Sequence, residues 1–115
     1  MEQLNRVELR GIVGSSRISK VGDTTFVQLT VATNLAYRAQ DGTPVIETTW
    51  HNVKAFESST ITGLENIGKG DRVYVTGRIR NQRYTAESGE EKTMSEIRAS
   101  RLVKLDTDEP LQYEM

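Results

Sequence analysis

The chain has 115 residues, 36% of them hydrophobic and 27% charged, which fits one folded domain with a modest core. It contains no cysteine and one histidine, His51, so disulfides and metal sites built from cysteine or several histidines are excluded. No apolar run reaches the length of a membrane span, and residues 1–11 (MEQLNRVELRG) are polar where a secretory signal needs an apolar stretch. We therefore expect a cytoplasmic protein without membrane contact, metal or cofactor.

The charge is unevenly distributed along the chain. The formal net charge is −1, yet residues 106–115 (DTDEPLQYEM) carry four acidic residues and no basic one. Residues 1–105 therefore hold 15 basic and 12 acidic residues, a mildly basic balance of +3. Any nucleic-acid site must then be a local patch. We predict one domain over 1–105 and a short, flexible acidic tail over 106–115.

The first half of the chain predicts three strands. Residues 5–14 (NRVELRGIVG) alternate apolar and polar side chains, whereas 15–24, with Ser, Gly and Asp, indicate a turn or a short irregular strand. Residues 25–34 (TFVQLTVATN) alternate again, and Asp41-Gly42 is a strong hairpin signal. Residues 45–56 (VIETTWHNVKAF) form the third predicted strand.

The segment after the third strand predicts a short helix. Leu64 and Ile67 stand three residues apart within 57–70, and the helix they predict ends at Gly68 or Gly70. The possible caps are Ser58, Ser59 and Thr60. The pattern is otherwise that of strands.

Two further strands complete an all-β domain. Residues 72–84 (RVYVTGRIRNQRY) alternate, Ser88-Gly89 turns the chain, and 92–105 form the last strand. Five strands with one short helix between strands 3 and 4 are the arrangement of the OB-fold, a small five-stranded Greek-key barrel. A β-sandwich, the alternative, would need more strands in a chain of this length.

Two aromatic side chains share one side of the third predicted strand. Because successive side chains of a strand alternate, Trp50, Lys54 and Phe56 point to one side and Val53 to the other. Two large aromatics with a lysine are unusual for a core, but they suit a surface where bases stack on rings and an ammonium group meets phosphate. The alternative, that Trp50 and Phe56 are ordinary core aromatics, stays open on this strand alone.

The fourth predicted strand carries a second set of basic and aromatic side chains. Arg78, Arg80 and Tyr84 point to one side together, and arginine can both pair with phosphates and stack on bases. The alternative is a solvated surface strand whose charges serve solubility and protect the sheet edge. The opposite side suits the interior of a barrel, with Val73, Val75, Gly77 and Ile79.

We find no catalytic constellation in the sequence. The segment GLENIGKGD lacks the Gly-Lys-Ser/Thr of a phosphate-binding loop. His51 lies on the apolar side of its strand without an evident nucleophile beside it, so we expect a structural histidine. The carboxylates are scattered, without the spacing of a metal site or an acid–base pair. The chain is therefore not expected to be an enzyme.

Five segments occur in the order NRVELRGIVG, VQLTVATN, TTWHNVKAF, KGDRVYVTGRIRNQRY and EIRASRLVKL, over about residues 5–105. Together they resemble the bacterial single-stranded DNA-binding proteins. Trp-His-x-Val-x-x-Phe followed by Lys-Gly-x-x-Val-Tyr-Val-x-Gly-x-Ile-Arg is specific as a combination, whereas neither half alone would be. The resemblance implies an OB-fold that binds single-stranded DNA without sequence preference in replication, recombination and repair. It also implies a homo-oligomer, a homotetramer or a dimer.

The resemblance also implies which residues bind DNA. Tyr37, at the end of the second strand, could equally cap the barrel. The implied stacking positions are Trp50, Phe56, Tyr37 and Tyr84, and the implied basic positions are Arg6, Lys69, Arg80 and Arg83, to which the strand patterns add Lys54 and Arg78.

Three features depart from the family pattern. Asn52 stands where the family often has Arg, and Ser58 where Lys is common, which weakens the electrostatic attraction to phosphate. The sequence, which ends at Met115, also lacks the family's glycine-rich linker and its acidic tip ending in Pro-Phe. In the family that tip recruits replication and repair proteins. We expect a truncated chain or a short paralogue. The alternative function is that of a tail-less OB-fold adapter of the primosomal type, which bridges replication proteins. Stacking alone does not distinguish DNA from RNA, because it does not involve the 2′-hydroxyl.

Overall fold

The computed structural model describes residues 2–105, so the predicted tail at 106–115 lies outside the described residues. Five strands occupy most of that range: β1 Val7–Val21, β2 Thr24–Arg38, β3 Pro44–Phe56, β4 Arg72–Thr85 and β5 Glu91–Leu105. They form a closed barrel in the order β1-β2-β3-β5-β4, with β4 paired back to β1. All neighbouring strands are antiparallel except β3 and β5. The predicted all-β OB-fold is confirmed.

Branched aliphatic side chains fill the interior of the barrel. Val27, Leu29 and Val31 of β2 are at most 2% exposed, and Leu29 is paired with the buried Val53 of β3. Burying each such side chain contributes about 1.5–3 kcal/mol, so these alternating positions stabilise the closed sheet. The same core includes Val13, Val73, Val75, Ile97, Ala99 and Leu102 from the other strands, and Ile61, Leu64 and Ile67 from the connection between β3 and β4.

The connection between β3 and β4, where the spacing predicted a short helix, holds a 3-10 turn of three residues, Leu64–Asn66. The hydroxyl of Ser58 accepts a hydrogen bond from the backbone N–H of Thr60 at 3.2 Å, which closes a local turn instead of capping a helix. Gly63 then adopts a φ of 69°, a left-handed conformation that interrupts a right-handed helix. The apolar spacing therefore predicted correctly that Leu64 and Ile67 are buried. Because Gly63 is left-handed, the helical structure is limited to one 3-10 turn.

Of the two alternatives predicted for residues 15–24, a turn or a short irregular strand, the structure has strand up to Val21, which continues β1. The pairing register with β2 shifts between Val13 and Ser15, where Gly14 forms a β-bulge. β1 pairs with β4 from Val7 to Ile12 and with β2 from Ile12 to Val21, so the bulge lies within its pairing with β2. The turn itself lies at Gly22, whose φ is 62°.

Ile79 is exposed, although the alternation of β4 predicted it inside the barrel. Up to Gly77 the strand pairs with both β1 and β5, whereas beyond it the pairing with β1 ends and only β5 remains. The last part of β4 therefore leaves the barrel as one strand of a two-stranded hairpin. Ile79 lies on that hairpin and is 50% exposed.

Both predicted hairpin turns are confirmed and share one geometry. Gly42 in the β2–β3 turn and Gly89 in the β4–β5 turn each have a φ of 87°, which glycine adopts without steric cost. In each turn the N–H of the glycine donates to the carbonyl three residues earlier at 2.9 Å. The two turns therefore end two long hairpins in the same way.

Candidate nucleic-acid interface

The outer side of β3 carries the aromatic residues and the lysine that the sequence placed together. Trp50 is 59% exposed, whereas Val53 and Ala55 are 2% and 0% exposed. From Trp50 to Phe56 the exposure therefore follows the predicted alternation, whereas residues 46–50 are exposed on both sides of the strand. At about 3.3 Å per residue, the distance along the strand from Trp50 to Phe56 is roughly 20 Å. The two rings thus stand at the two ends of one polar stretch of the barrel surface.

The indole of Trp50 lies against the β-bulge of β1. A Cβ atom at Gly14 would lie 2.3 Å from Cζ3 and 2.8 Å from Cη2 of Trp50, closer than Cβ atoms approach in real proteins. Glycine at this position therefore makes room for the ring. An aromatic side chain that is supported from behind and largely exposed in front is a preformed surface for stacking.

Phe56 belongs to a cluster of two aromatic rings and two cations. Phe26 of β2 is its cross-strand partner, with ring centroids 5.5 Å apart and planes inclined by 44°. Lys54 Nζ lies 4.5 Å from the Phe26 centroid and 5.2 Å from the Phe56 centroid, and Arg98 Cζ lies 4.7 Å from the latter. Cation–π attraction at such distances holds charge next to the rings. A base that stacks on Phe56 therefore meets two cations at the same place.

Four cations form a row across the outer side of the barrel. Directly opposed residues of neighbouring strands point to the same side. The register pairs Arg17 with Gln28, Gln28 with Lys54, Lys54 with Arg98, and Arg98 with Arg78. We call these five residues the cationic row. Within residues 2–105 none of its four cations forms an ion pair with a carboxylate, so their charge is available to a phosphate backbone.

The β4–β5 hairpin continues this side of the barrel. Arg80 and Tyr84 follow Arg78 at alternating positions of β4, and Tyr84 is 48% exposed. Arg83 is paired with Thr93 and points to the other side of the hairpin. The structure therefore brings Arg80 and Tyr84 together with the cationic row, but not Arg83.

Tyr37 and Arg6 lie away from the cationic row. Tyr37 is 44% exposed, but it is paired with Val45 and so points to the opposite side of the β2–β3 hairpin from Trp50. Arg6 precedes β1, and its Nη2 lies 3.9 Å from Oε2 of Glu8. That carboxylate partly neutralises the charge of Arg6. Neither residue shares the surface between Trp50 and Phe56.

Lys69 is an exposed residue beside the bulge that supports Trp50. The backbone N–H of the next residue, Gly70, donates to the carbonyl of Val13 at 2.8 Å. Because Val13 directly precedes Gly14 in β1, this bond holds the Lys69 loop at the bulge. Lys69 is thus placed at the Trp50 end of the surface.

His51 has a structural environment. Its Nε2 is hydrogen-bonded to Oγ1 of Thr33 at 2.8 Å, and burial lowers the pKa of the imidazole. The ring is therefore neutral near pH 7 and links β2 to β3. Among residues 2–105 there is no group of His, Asp and Glu side chains that could hold a metal ion. No helix of the same range is long and apolar enough to cross a membrane.

The model of the single-strand binding protein family matches residues 4–105. The chain belongs to this family. A single-stranded DNA-binding protein from Xylella fastidiosa is 31% identical over 104 residues, which are 89% of this chain and 63% of that protein. Another from Bacteroides thetaiotaomicron is 33% identical over 98 residues, 82% of this chain and 61% of that protein. The chain thus spans about three fifths of the length of these relatives.

A solved structure of the single-strand binding protein family has the same fold. It is a Plasmodium falciparum SSB in complex with ssDNA, which superposes with a TM-score of 0.79 at 26% identity. The match covers 92% of this chain and 98% of that chain. The two chains therefore share their overall fold over almost their whole matched length.

Three residues on the outer side of this chain's barrel were not predicted from the sequence. Phe26, Arg17 and Arg98 join the predicted residues only through cross-strand pairing. One signal was available for Phe26, since it alternates with the polar Gln28 along β2 and so shares the polar side of that strand. Arg17 and Arg98 gave no such signal, because their place depends on the bulge in β1 and on the parallel contact of β3 with β5.

Proposed function

We propose that this chain binds single-stranded DNA of any sequence and catalyses no reaction. The observation that carries the proposal is the exposed Trp50 on the same side of the barrel as the cationic row. Each stack of a base on an aromatic ring contributes about 1–3 kcal/mol and accepts every base, because every base has a π-face. Contacts of cations to phosphate likewise carry no sequence information.

The bound strand crosses the outer side of the barrel between the two ends of β3. Bases stack on Trp50 at one end and on Phe56 at the other, and Tyr84 extends the stacking surface along the β4–β5 hairpin. Phosphates are held by Lys54, Lys69, Arg78 and Arg80, together with Arg17 and Arg98 of the cationic row. Tyr37, Arg6 and Arg83 lie on other surfaces, so they contact only a strand that wraps further around the protein.

Membership of the family supports a proposal for the biological setting. We propose a role in DNA replication, recombination and repair in the cytoplasm, as a homotetramer or dimer that also meets replication and repair proteins. Exposed apolar side chains outside the DNA surface, such as Val21 at 68% and Ile79 at 50%, support self-association. Sedimentation equilibrium should show a mass of two or four chains, and a monomer at micromolar concentration would contradict this assembly.

Fluorescence of Trp50 tests DNA binding directly. Trp50 is the only tryptophan in the chain, so its emission reports one site. We expect oligo-dT to quench the emission, with an affinity that falls as salt rises. If the four cations of the row each bind a phosphate, the log–log slope is about −3, at about −0.7 per contact. A folded protein that shows neither quenching nor binding would contradict the proposal and favour the adapter alternative.

A further inference from the structure

A tyrosine between two arginines lies on the outer side of the barrel, away from the surface proposed for DNA. Tyr74 of β4 is directly opposed to Arg10 of β1, and Arg101 of β5 is opposed to Thr76, two residues along β4. Cζ of Arg10 lies 5.9 Å and Cζ of Arg101 lies 5.8 Å from the centroid of the Tyr74 ring. Cation–π attraction therefore holds guanidinium groups of two different strands beside one ring. We call Arg10, Tyr74 and Arg101 the tyrosine cluster.

The tyrosine cluster carries positive charge that the protein does not neutralise. Both of its arginines are exposed, and neither forms an ion pair with a carboxylate in the part of the chain that the structure describes. The carboxylate on this side of β1, Glu8, accepts a hydrogen bond from the hydroxyl of Tyr74 and lies 3.9 Å from Nη2 of Arg6. Arg6 and the two arginines of the cluster thus surround one carboxylate, which leaves a positive balance. An anion can reach both exposed guanidinium groups from the solvent.

The outer side of β4 connects the tyrosine cluster with the cationic row. Arg78, Thr76 and Tyr74 alternate along the strand with buried residues, so all three point outward. Arg78 is the last member of the row, and at about 3.3 Å per residue it lies about 13 Å along the strand from Tyr74. The opposed positions of β5 carry positive charge over the same distance, from Arg98 to Arg101. A DNA strand that leaves the row at Arg78 therefore meets further cations along β4 and β5.

We propose that the tyrosine cluster is a second phosphate-binding site, which holds single-stranded DNA after the strand has left the cationic row. The inference rests on the proposed function and extends its DNA surface to the β1–β4–β5 side of the barrel. Arg10 and Arg101 each donate to one phosphate, because a guanidinium group presents several donors in a plane that matches phosphate oxygens. Contacts to phosphate carry no sequence information, so this site preserves the binding of any sequence.

A second copy of the chain is the other partner that such a surface could meet. In a two-fold symmetric dimer the same surface of both copies comes together. The positive balance of the tyrosine cluster and Arg6 would then lie against itself, and the like charges would repel each other. A single DNA strand is a polyanion with the complementary charge, so it fits this surface better than a second copy does.

The test compares a short and a long oligo-dT on the unmodified chain and on the double variant Arg10→Gln, Arg101→Gln. Lengths of about 4 and about 16 nucleotides are the two ends of the range of site sizes for one OB-fold. Quenching of Trp50, the only tryptophan, measures binding of both strands. The short strand, held at Trp50 and the cationic row, should bind both proteins equally.

The long strand is expected to distinguish the two proteins. The log–log slope of affinity against salt should be shallower in the double variant by about 1.4, at about 0.7 for each lost phosphate contact. Over one decade of salt up to 1 M, a slope of that size corresponds to about a 25-fold loss of affinity at 0.1 M. The effect should therefore be large at low salt and vanish at high salt.

Lys20→Gln is the matched control for the loss of a cation. Lys20 is exposed on β1 and points to the other side of that strand from Arg17 of the cationic row. Its replacement changes the net charge as each single arginine variant does, so it should keep the salt slope with both strands. Urea denaturation of every variant checks that it is folded.

An unchanged slope of the folded double variant with the long strand would overturn the second phosphate site and leave binding at Trp50 intact. A lower mass of that variant than of the unmodified chain, measured without DNA by sedimentation equilibrium, would also overturn it, because the surface would then join copies of the chain. If the unmodified chain bound neither strand, the proposed function itself would be wrong. If the double variant does not fold, Arg10→Gln and Arg101→Gln should each lower the slope by about 0.7, and an unchanged slope in both would overturn the site.

Discussion

Replacing Trp50 by Ala is expected to weaken binding of single-stranded DNA by about 10- to 100-fold with little change in stability. The loss of one base–aromatic stack costs about 1–3 kcal/mol, and each 1.4 kcal/mol is a tenfold change in affinity. The free energy of unfolding should change by less than about 1 kcal/mol, because the side chain is 59% exposed. Fluorescence anisotropy of a labelled oligonucleotide and urea denaturation measure the two effects separately.

Phe56→Ala is the matched comparison for Trp50→Ala. The Phe56 ring packs on Phe26 at 5.5 Å and holds Arg98 at 4.7 Å, so its removal affects both the protein's packing and the position of a phosphate-binding cation. We expect a similar loss of affinity together with about 2 kcal/mol of lost stability, below the 3–5 kcal/mol of a fully buried phenylalanine. An unchanged affinity of a folded Trp50→Ala variant would contradict the stacking role.

Gly77→Ala is expected to destabilise the protein by about 3 kcal/mol, the upper part of the range for an overpacked core. A Cβ atom at Gly77 would lie 2.2 Å from the carbonyl oxygen of Arg98 and 3.0 Å from Cα of Ala99. These atoms belong to the backbone of β5, which cannot rotate away as a side chain would. The strand must therefore move, and it does so where β4 and β5 shift register. Urea denaturation at a fixed temperature measures the loss.

Gly68→Ala is the control for this effect. No heavy atom lies within 4 Å of the Cβ that the substitution would add, and the φ of Gly68 is not in the left-handed region. Its stability should stay within about 0.5 kcal/mol of the unmodified chain. If Gly77→Ala were as stable as Gly68→Ala, the close approach of β4 to β5 would not be needed for the fold.

The alternation of polar and apolar residues predicted which side chains share a side within a single strand. It placed Trp50 and Phe56 opposite Val53, and it found both hairpin turns from their glycines. It failed where the neighbouring strands differ between the two halves of one strand, as in β4. Ile79 continues the buried positions of β4 in sequence, yet β1 no longer covers that part of the strand.

The composition of the candidate surface depends on register, which one sequence does not display. Arg17 reaches the cationic row only because the bulge at Gly14 shifts β1 against β2. Arg98 reaches it through the parallel contact of β5 with β3, two strands that are distant in sequence. The register also explains why Tyr37 lies outside the candidate surface. It lies on β2 near the other aromatic positions, but the pairing with Val45 turns it to the opposite side.

The short contact between β3 and β5 is the seam at which the barrel closes. Its register consists of Val53 with Ile97 and Lys54 with Arg98, whereas the other neighbouring strands pair over much longer stretches. A seam with so few backbone bonds is the place where the sheet can open locally before the rest unfolds. Lys54 and Arg98 stand on its two edges, and their like charges repel each other. An anionic ligand that contacts both would cancel that repulsion and hold the edges together, so ligand binding and closure of the barrel favour one another.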